Sequence, residues 1–345
     1  MMQDPHQDVR IALERMGLLR PGEAFHAETL PGGVSSDILR IDLPGRSPGL
    51  SPGPSFCFKR ALAKLKVAAD WRAPVERNHA EVEWLRVAEE LVPRAVPRIL
   101  GEDAQSGAFA MEYLAPALHP VWKSELRDGN IHTETAAAVA RAIAAIHAGT
   151  AQRTDLARRF ANDHIFYPIR LEPYLLVTAV RHPDCAARLR ELAETTARNK
   201  LALVHGDLSP KNVLAAAHGP ILLDAECAWY GDPAFDLAFC LKHMLLKCLW
   251  RPQWCERYLA CFDALTSTYL AGVNWEPRAA IEARAAHLLP GLFLGRVDGK
   301  SPAEYLTDDR DRERVRRVAR RFLLEPVDQL AAIRDAWEAE CGTGR

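Results

Sequence analysis

The stretch "LVHGDLSPKNVLAAAHGPILLDAE" (Leu203–Glu226) decides how this chain is read. It begins as an apolar strand, breaks into His205-Gly206-Asp207, and resumes as Val213-Leu214-Ala215 and Ile221-Leu222-Leu223 around a short "AAHG". Two apolar runs around such a turn signal a β-hairpin. A turn centred on His218 places Asn212 directly across from Asp224, with a Cβ separation of roughly 4.5–5.5 Å. A slip of one residue would send the two side chains to opposite faces. A hydrophobic core has no use for an acid and an amide here. The hairpin accounts for them by bringing an amide and a carboxylate together, with Asp207 just ahead. Oxygen ligands of this kind suit Mg²⁺, which keeps water and takes other ligands from phosphate. Asp207 is then left to accept a proton from an attacking hydroxyl.

The rest of the composition permits such a site and excludes several others. The chain has 345 residues, 48% hydrophobic and 26% charged, enough for a substantial core and for two lobes. Lys and Arg total 44 against 45 Asp and Glu, which gives no support to a nucleic-acid or membrane-surface partner. The eight cysteines, at 57, 185, 227, 240, 248, 255, 261 and 341, form no C-x-x-C pair and read as buried thiols of a reducing compartment. "MMQDPHQDVR" lacks the pattern of a signal peptide, and the apolar run 234–250 carries Asp236, Lys242, His243 and Lys247, too many charges to span a bilayer. A soluble cytoplasmic protein is expected. Its oligomeric state is not legible. Residues 308–321, seven Arg against three Asp and one Glu, read as a solvated helix face.

Along the chain, residues 7–19 carry Val9, Leu13 and Met16 at helical spacing, and "ETLPGGVSSDILRIDL" reads as strand, Gly-Gly turn, strand. Pro, Gly and Ser fill ten of the twelve positions 44–55, a flexible connection before the strand "FCFKRAL". "APVERNHAEVEWLRVAEEL" is a helix with Val82, Leu85 and Leu91 on one side, followed by strands at "VPRIL" and "AFAMEYLAP", the second ending at Ala115-Pro116. Then the texture changes. "HTETAAAVARAIAAIHAGT" is an Ala-rich helix with Thr133 as N-cap and Glu134 in its first turn, and helical patterns dominate onward. The boundary is placed at 114, giving lobes 1–114 and 115–345.

His205, Asp207, Leu208 and Asn212 match H-x-D-L-x-x-x-N, the spacing of the protein-kinase catalytic loop, and Asp224 follows seventeen residues after Asp207 where kinases place a metal-binding Asp. "HGDLSPKN" with "LLDAECAWYGDPAFDLAF" resembles the aminoglycoside phosphotransferase and choline kinase family, and "FKRALAKLKVAADWRAPVER" is similar to the start of methylthioribose kinases. The likeness runs from about Leu30 to Tyr305. It implies an α+β, two-lobed protein-kinase-like fold, with a small antiparallel-sheet N-lobe that binds nucleotide and a larger, mainly helical C-lobe for catalysis and acceptor binding. It implies an ATP- and Mg²⁺-dependent phosphotransferase acting on a hydroxyl of a small molecule. Asp207 is then the catalytic base, with Asn212, Asp224 and Glu226 toward metal. Asp236 holds the loop through hydrogen bonds to its backbone, and His205 supports the loop structurally.

By the same resemblance Lys59 contacts the ATP phosphates, with Lys64 and Lys66 as nearby competitors. Glu81 pairs with Lys59, with Glu83 as its rival. Gly32 and Gly33 lie in the phosphate-covering loop, and Glu112 and Tyr113 in the hinge that offers backbone groups to adenine. Trp229 either lines the acceptor site or packs in the core, and Arg296 is an acceptor-binding candidate. Two departures point to a small acceptor rather than a protein: Ser209 stands where protein kinases usually carry Lys, and only nine residues separate Glu226 from Asp236, leaving no room for an activation segment. The rival readings are a nucleotide-binding regulatory pseudokinase and a metal hydrolase.

Overall fold

The computed structural model describes residues 6–30, 36–46, 53–62 and 74–342. The chain divides after Leu118, a few residues beyond the boundary placed at 114, into units Met1–Leu118 and His119–Arg345.

In the first unit, strands β1 (His26–Thr29), β2 (Ser36–Asp42), β3 (Ser55–Ala61), β4 (Ile99–Asp103) and β5 (Ala108–Glu112) form one antiparallel sheet in the order β1-β2-β3-β5-β4. Strand β3 lies at its centre, and side chains alternate across it. Phe56 and Phe58 therefore share a face, which packs with Ile41 and with Val9, Ala12 and Leu13 of helix α1 (Gln7–Arg15). Cys57 and Lys59 point the other way. The Pro-Gly-Ser stretch joins β2 to β3, its residues 47–52 falling outside the described ones.

Helix α2 (Arg77–Leu91) buries Val82, Trp84 and Leu85, but Leu91 is 36% exposed, against expectation. Nine residues past Val82 is roughly half a turn away around the helix. Strand β5 also stops earlier than expected, at Glu112.

The second unit is mainly helical. Its helices are α3 (Trp122–Asp128), α4 (Thr133–Thr150), α5 (Thr154–Arg159), α6 (Asp163–Phe166), α7 (Val177–Arg181) and α8 (Ala186–Arg198), with a π-helical segment at Tyr167–Leu176. After the short strands described below come α9 (Ala234–Trp250), α10 (Cys255–Gly272), α11 (Arg278–Asp298), α12 (Asp309–Leu324) and α13 (Leu330–Gly342). Thr133 is the first residue of α4 rather than its cap; His132, in extended conformation, holds that position without a side-chain hydrogen bond.

Helix α9 explains the apolar run 234–250. It is buried nearly all round, packing on α10 and α11, so its residues meet protein on every side. Among the described residues no helix is long and apolar enough to cross a membrane. All eight cysteines are free thiols, seven of them buried. The Arg-rich α12 carries local pairs such as Arg312–Asp309 and Arg314–Asp311 and packs Val315, Val318 and Phe322 inward.

Candidate active site

Strand β6 (Ala202–Val204) pairs with β9 (Trp229–Gly231), so Val204 lies beside Trp229. Between them come His205-Gly206-Asp207, a 3₁₀ turn at Pro210–Asn212, and the hairpin of β7 (Val213–Ala216) and β8 (Gly219–Leu222). The hairpin is present, but its register differs by one residue from the expected one. Val213 pairs with Leu222, and the Leu223 N–H donates to Asn212 O at 2.9 Å, so Leu223 and not Asp224 stands across from Asn212. The turn is two residues, Ala217-His218, rather than one centred on His218.

Regular alternation would then send Asp224 to the far face. Asp224 instead adopts φ +64°, a left-handed conformation that Asp tolerates better than most residues and that breaks the alternation. Its negative charge acts on Asp207, Lys211 and His205.

The loop before the hairpin is held from beneath by one buried carboxylate. Asp236, in the first turn of α9, accepts the His205 N–H through Oδ2 at 2.7 Å and the Gly206 N–H through Oδ1 at 2.9 Å. His147 Nε2 lies 3.2 Å from the same Oδ2, and Tyr269 OH lies 2.8 Å from His147 Nδ1. His205 is fully buried, and burial pushes its imidazole below the usual histidine range. The neutral ring donates from Nε2 to Leu223 O at 3.1 Å and accepts the Asp207 N–H at Nδ1, 3.2 Å. Its role in this geometry is to tie the loop to the hairpin.

Asp207 is 4% exposed. Its Oδ2 lies 2.8 Å from Asn212 Nδ2, 3.0 Å from Arg170 Nη2 and 3.1 Å from Lys211 Nζ. Among the described residues no donor reaches Oδ1. Burial pushes this carboxyl up, but the charges of Arg170 and Lys211 outweigh burial and hold it below the ordinary aspartate value.

Arg170 comes from the π-helical segment and also donates from Nε to Gly206 O at 2.6 Å, so one guanidinium fixes both backbone and side chain of the motif. Neither Arg170 nor Lys211 was among the residues expected from the sequence. Arg170 carries no local motif, whereas Lys211 stands in plain view in "SPKN", four residues after Asp207.

The donor set fits a hard divalent cation. Asn212 turns its amide nitrogen to Asp207, to both Oδ2 and the backbone O at 3.0 Å, which leaves Oδ1 as its outward atom. Asp224 and the buried Glu226 add carboxylates. The carboxylate oxygens of Asp207, Asp224 and Glu226 do not all lie within 4.8 Å of one another, so these three alone do not form a closed cage for an ion. Ser209 Oγ, buried two residues after Asp207, has no hydrogen-bond partner among the described residues.

In the first unit, Lys59 Nζ lies 2.7 and 2.9 Å from the Glu81 carboxylate oxygens, both side chains buried. Glu83 turns instead to Arg86 at 2.7 Å, which settles the pairing in favour of Glu81. Glu112 is exposed at the end of β5, and Tyr113 packs its ring under the Arg40 guanidinium at 4.8 Å. Gly32, Gly33, Lys64 and Lys66 lie outside the described residues.

Trp229 does not line a site. It is fully buried and stacks on Phe166 with ring centres 4.1 Å apart, because the pairing of β9 with β6 turns it into the core. Arg296, on α11, is half-buried and donates from Nη1 to Ser301 O at 2.5 Å and Oγ at 3.1 Å.

Comparison with known proteins places this arrangement. The model of the phosphotransferase enzyme family (APH) matches residues 59–268, more than half of the chain. The methylthioribose kinase of Geobacillus thermodenitrificans is 25% identical over 288 residues, covering 74% of this chain and 68% of that one. That of Yersinia enterocolitica is 24% identical over 219 residues, and the match spans about half of its length, 53%.

Two solved structures share the fold. A choline kinase from Cryptosporidium parvum has a TM-score of 0.53 at 11% identity, covering 99% of this chain and 94% of that one. An amicoumacin kinase in complex with AMP-PNP, Ca²⁺ and Ami also has a TM-score of 0.53, at 14% identity with 95% and 96% covered. With the family model running from the β3 lysine through the Asp207 loop and into α10, this chain belongs to the phosphotransferase enzyme family.

Proposed function

We propose that this protein transfers the γ-phosphoryl group of ATP to a hydroxyl of a small molecule, with Asp207 as the catalytic base. The observation that carries the reading is the state of Asp207: one carboxylate oxygen is saturated by Arg170, Lys211 and Asn212, and the other is left open in a polar, otherwise buried loop. A purely structural aspartate would have both oxygens engaged. The relatives are named as kinases, and one neighbour of the same fold holds a nucleotide analogue with a divalent ion.

In this reading Oδ1 of Asp207 accepts a hydrogen bond from the acceptor hydroxyl and aims its oxygen at the γ-phosphorus. The new O–P bond forms as the bond to the β–γ bridging oxygen breaks. The three donors on Oδ2 keep Asp207 ionised and weakly basic, so the hydroxyl proton passes to Oδ1 only once bond formation has made that hydroxyl acidic. Asn212, Asp224 and Glu226 would hold Mg²⁺, which supplies charge neutralisation to the phosphates. Lys59, steadied by Glu81, is assigned to the other phosphate oxygens. Gly32 and Gly33, and the backbone at Glu112 and Tyr113, are assigned to the rest of the nucleotide.

The pseudokinase reading finds no support, since Asp207, Asn212 and Asp224 are all retained and the relatives are named as kinases. ADP release with and without Mg²⁺, measured across amino sugars, sugars, amino alcohols and hydroxy acids, tests the proposal. Magnesium-dependent release that requires one of these acceptors is expected. Phosphate released from simple esters without ATP, and no ADP from any acceptor, would favour the hydrolase instead.

A further inference from the structure

Lys211 stands between Pro210 and Asn212 in the 3₁₀ turn that follows Asp207. Its side chain is 55% exposed, yet its Nζ turns inward to lie 3.1 Å from Asp207 Oδ2. An ammonium carries three N–H donors. One meets Asp207, and among the described residues no other acceptor reaches this Nζ. Two donors are left over at the mouth of the loop.

Asp207 does not need this third donor to be held in place. Arg170 already matches its charge from a buried position, with Nη2 3.0 Å from Oδ2 and Nε fixed on Gly206 O at 2.6 Å. Asn212 Nδ2 fills a second place on the same oxygen at 2.8 Å. An ion pair made by an exposed lysine adds little to stability, so the fold does not account for Lys211. Asp224 and Glu226 do not account for it either, since both are assigned to the metal and neither makes an ion pair with it. With Asp207 paired to Arg170, Lys211 is the cation of the loop that has no carboxylate of its own.

Its place is beside the reaction. In the proposed transfer the acceptor oxygen lies within a hydrogen bond of Asp207 Oδ1 and about 3–3.5 Å from the γ-phosphorus. The phosphorus is then about 6 Å from the Asp207 carboxylate. That is within reach of an ammonium already touching this carboxylate and carried on a flexible four-carbon stem. Burial of the ammonium pushes Lys211 down, but the charges of Asp207 and then Asp224 outweigh it and hold the amine above the usual lysine range. It stays charged.

We propose that Lys211 is a second catalytic residue, which keeps its bond to Asp207 and gives its remaining donors to the oxygens of the transferable phosphoryl group. The assignment rests on the phosphotransferase reading for the identity of that group. During transfer the acceptor oxygen bonds to the γ-phosphorus and the bond to the β–γ bridging oxygen breaks. The hydroxyl proton passes to Asp207 Oδ1, and Lys211 keeps all three of its own. Its charge accompanies the phosphoryl oxygens from nucleotide to acceptor, and by touching base and phosphoryl at once it fixes the spacing between them.

Isothermal titration of the full chain with ATP and with ADP, both with Mg²⁺, tests it, because the two nucleotides differ only in the γ-phosphoryl group. Lys211→Met keeps the length of the side chain and removes its charge. It is expected to weaken ATP about ten- to a hundredfold, the size of one charge-assisted hydrogen bond. ADP binding and Tm should stay close to the parent's. With an acceptor from the ADP-release panel, kcat should fall about 10²–10³-fold, as for loss of one donor to a developing oxyanion. ATP held by Lys211→Met as tightly as by the parent would overturn the proposal, and parent-like transfer in the same variant would leave the phosphotransferase reading standing without it. ATP and ADP weakened alike, with a lower Tm, would make Lys211 structural. Selective loss of ATP binding in a chain that transfers to no acceptor would uphold the contact and remove the kinase. A parent that binds neither nucleotide would overturn both.

Discussion

Asp207→Ala is expected to lower kcat by about 10²–10⁴-fold, the range for loss of a general base, with a smaller change in ATP affinity. The asymmetry follows from the geometry. In the proposed mechanism the open Asp207 oxygen acts on the acceptor in the transition state, whereas nucleotide affinity is assigned to Lys59 and to the metal-holding groups. The substitution also leaves Arg170 and Lys211 without their shared carboxylate, so two cations are uncovered beside the reaction centre. Asp207→Asn, which keeps the shape and one acceptor oxygen, separates the two contributions. Its kcat should fall nearly as far while its thermal stability stays closer to the parent's. Steady-state kinetics with a confirmed acceptor reads the first effect. An Asp207→Ala enzyme turning over at the parent rate would remove the assignment.

Gly206→Ala should be the most damaging small substitution in the motif. Gly206 has φ +77°, and a Cβ placed there would lie 2.5 Å from Cys227 O, a backbone atom that cannot swing aside. The left-handed conformation alone costs an alanine about 1–2 kcal/mol, and relief of the contact adds about 1–3 kcal/mol. A total of about 2–5 kcal/mol corresponds to a Tm lower by about 4–10 °C. Relief must come through movement of the loop. The loop is held by Asp236 through the N–H groups of residues 205 and 206, and by Arg170 through Gly206 O, so Asp207 would be misplaced along with it. Activity should fall with stability. Differential scanning calorimetry and kcat on the same preparation check both, and a variant with parent Tm would show that the loop is not confined as described.

Much of this was legible in the sequence because it rests on local chemistry. The interruption of an apolar run by His205, Asp207 and Asn212 marked the loop, and Lys59 followed the apolar "FCF" of β3. The hairpin register was not legible, since both arms of "VLAAAHGPILL" are apolar and have no polar alternation to distinguish one pairing from the next. The left-handed turn at Asp224, which offsets that slip, leaves no compositional trace.

Arg170 reaches Gly206 across thirty-six positions of sequence, and only the packing of the π-helical segment brings it there. Of the two readings open for Trp229, acceptor site or core, adjacency to Asp224 and Glu226 could not choose, because strand pairing, not proximity in sequence, determines which way its ring points. Lys242 looked like an argument against a membrane span. Its burial appears only once α9 is seen to be enclosed.

The most direct test of the central claim, that Asp224 and Asn212 hold a divalent ion for the phosphates beside Asp207, is electron paramagnetic resonance of Mn²⁺ titrated into the protein with ATP. The parent should bind the ion in an ATP-dependent manner. Asp224→Ala should weaken that binding by about tenfold or more, at least the effect of losing a group that merely supports a metal ligand. Asp224→Ala binding Mn²⁺ and ATP as tightly as the parent would contradict it.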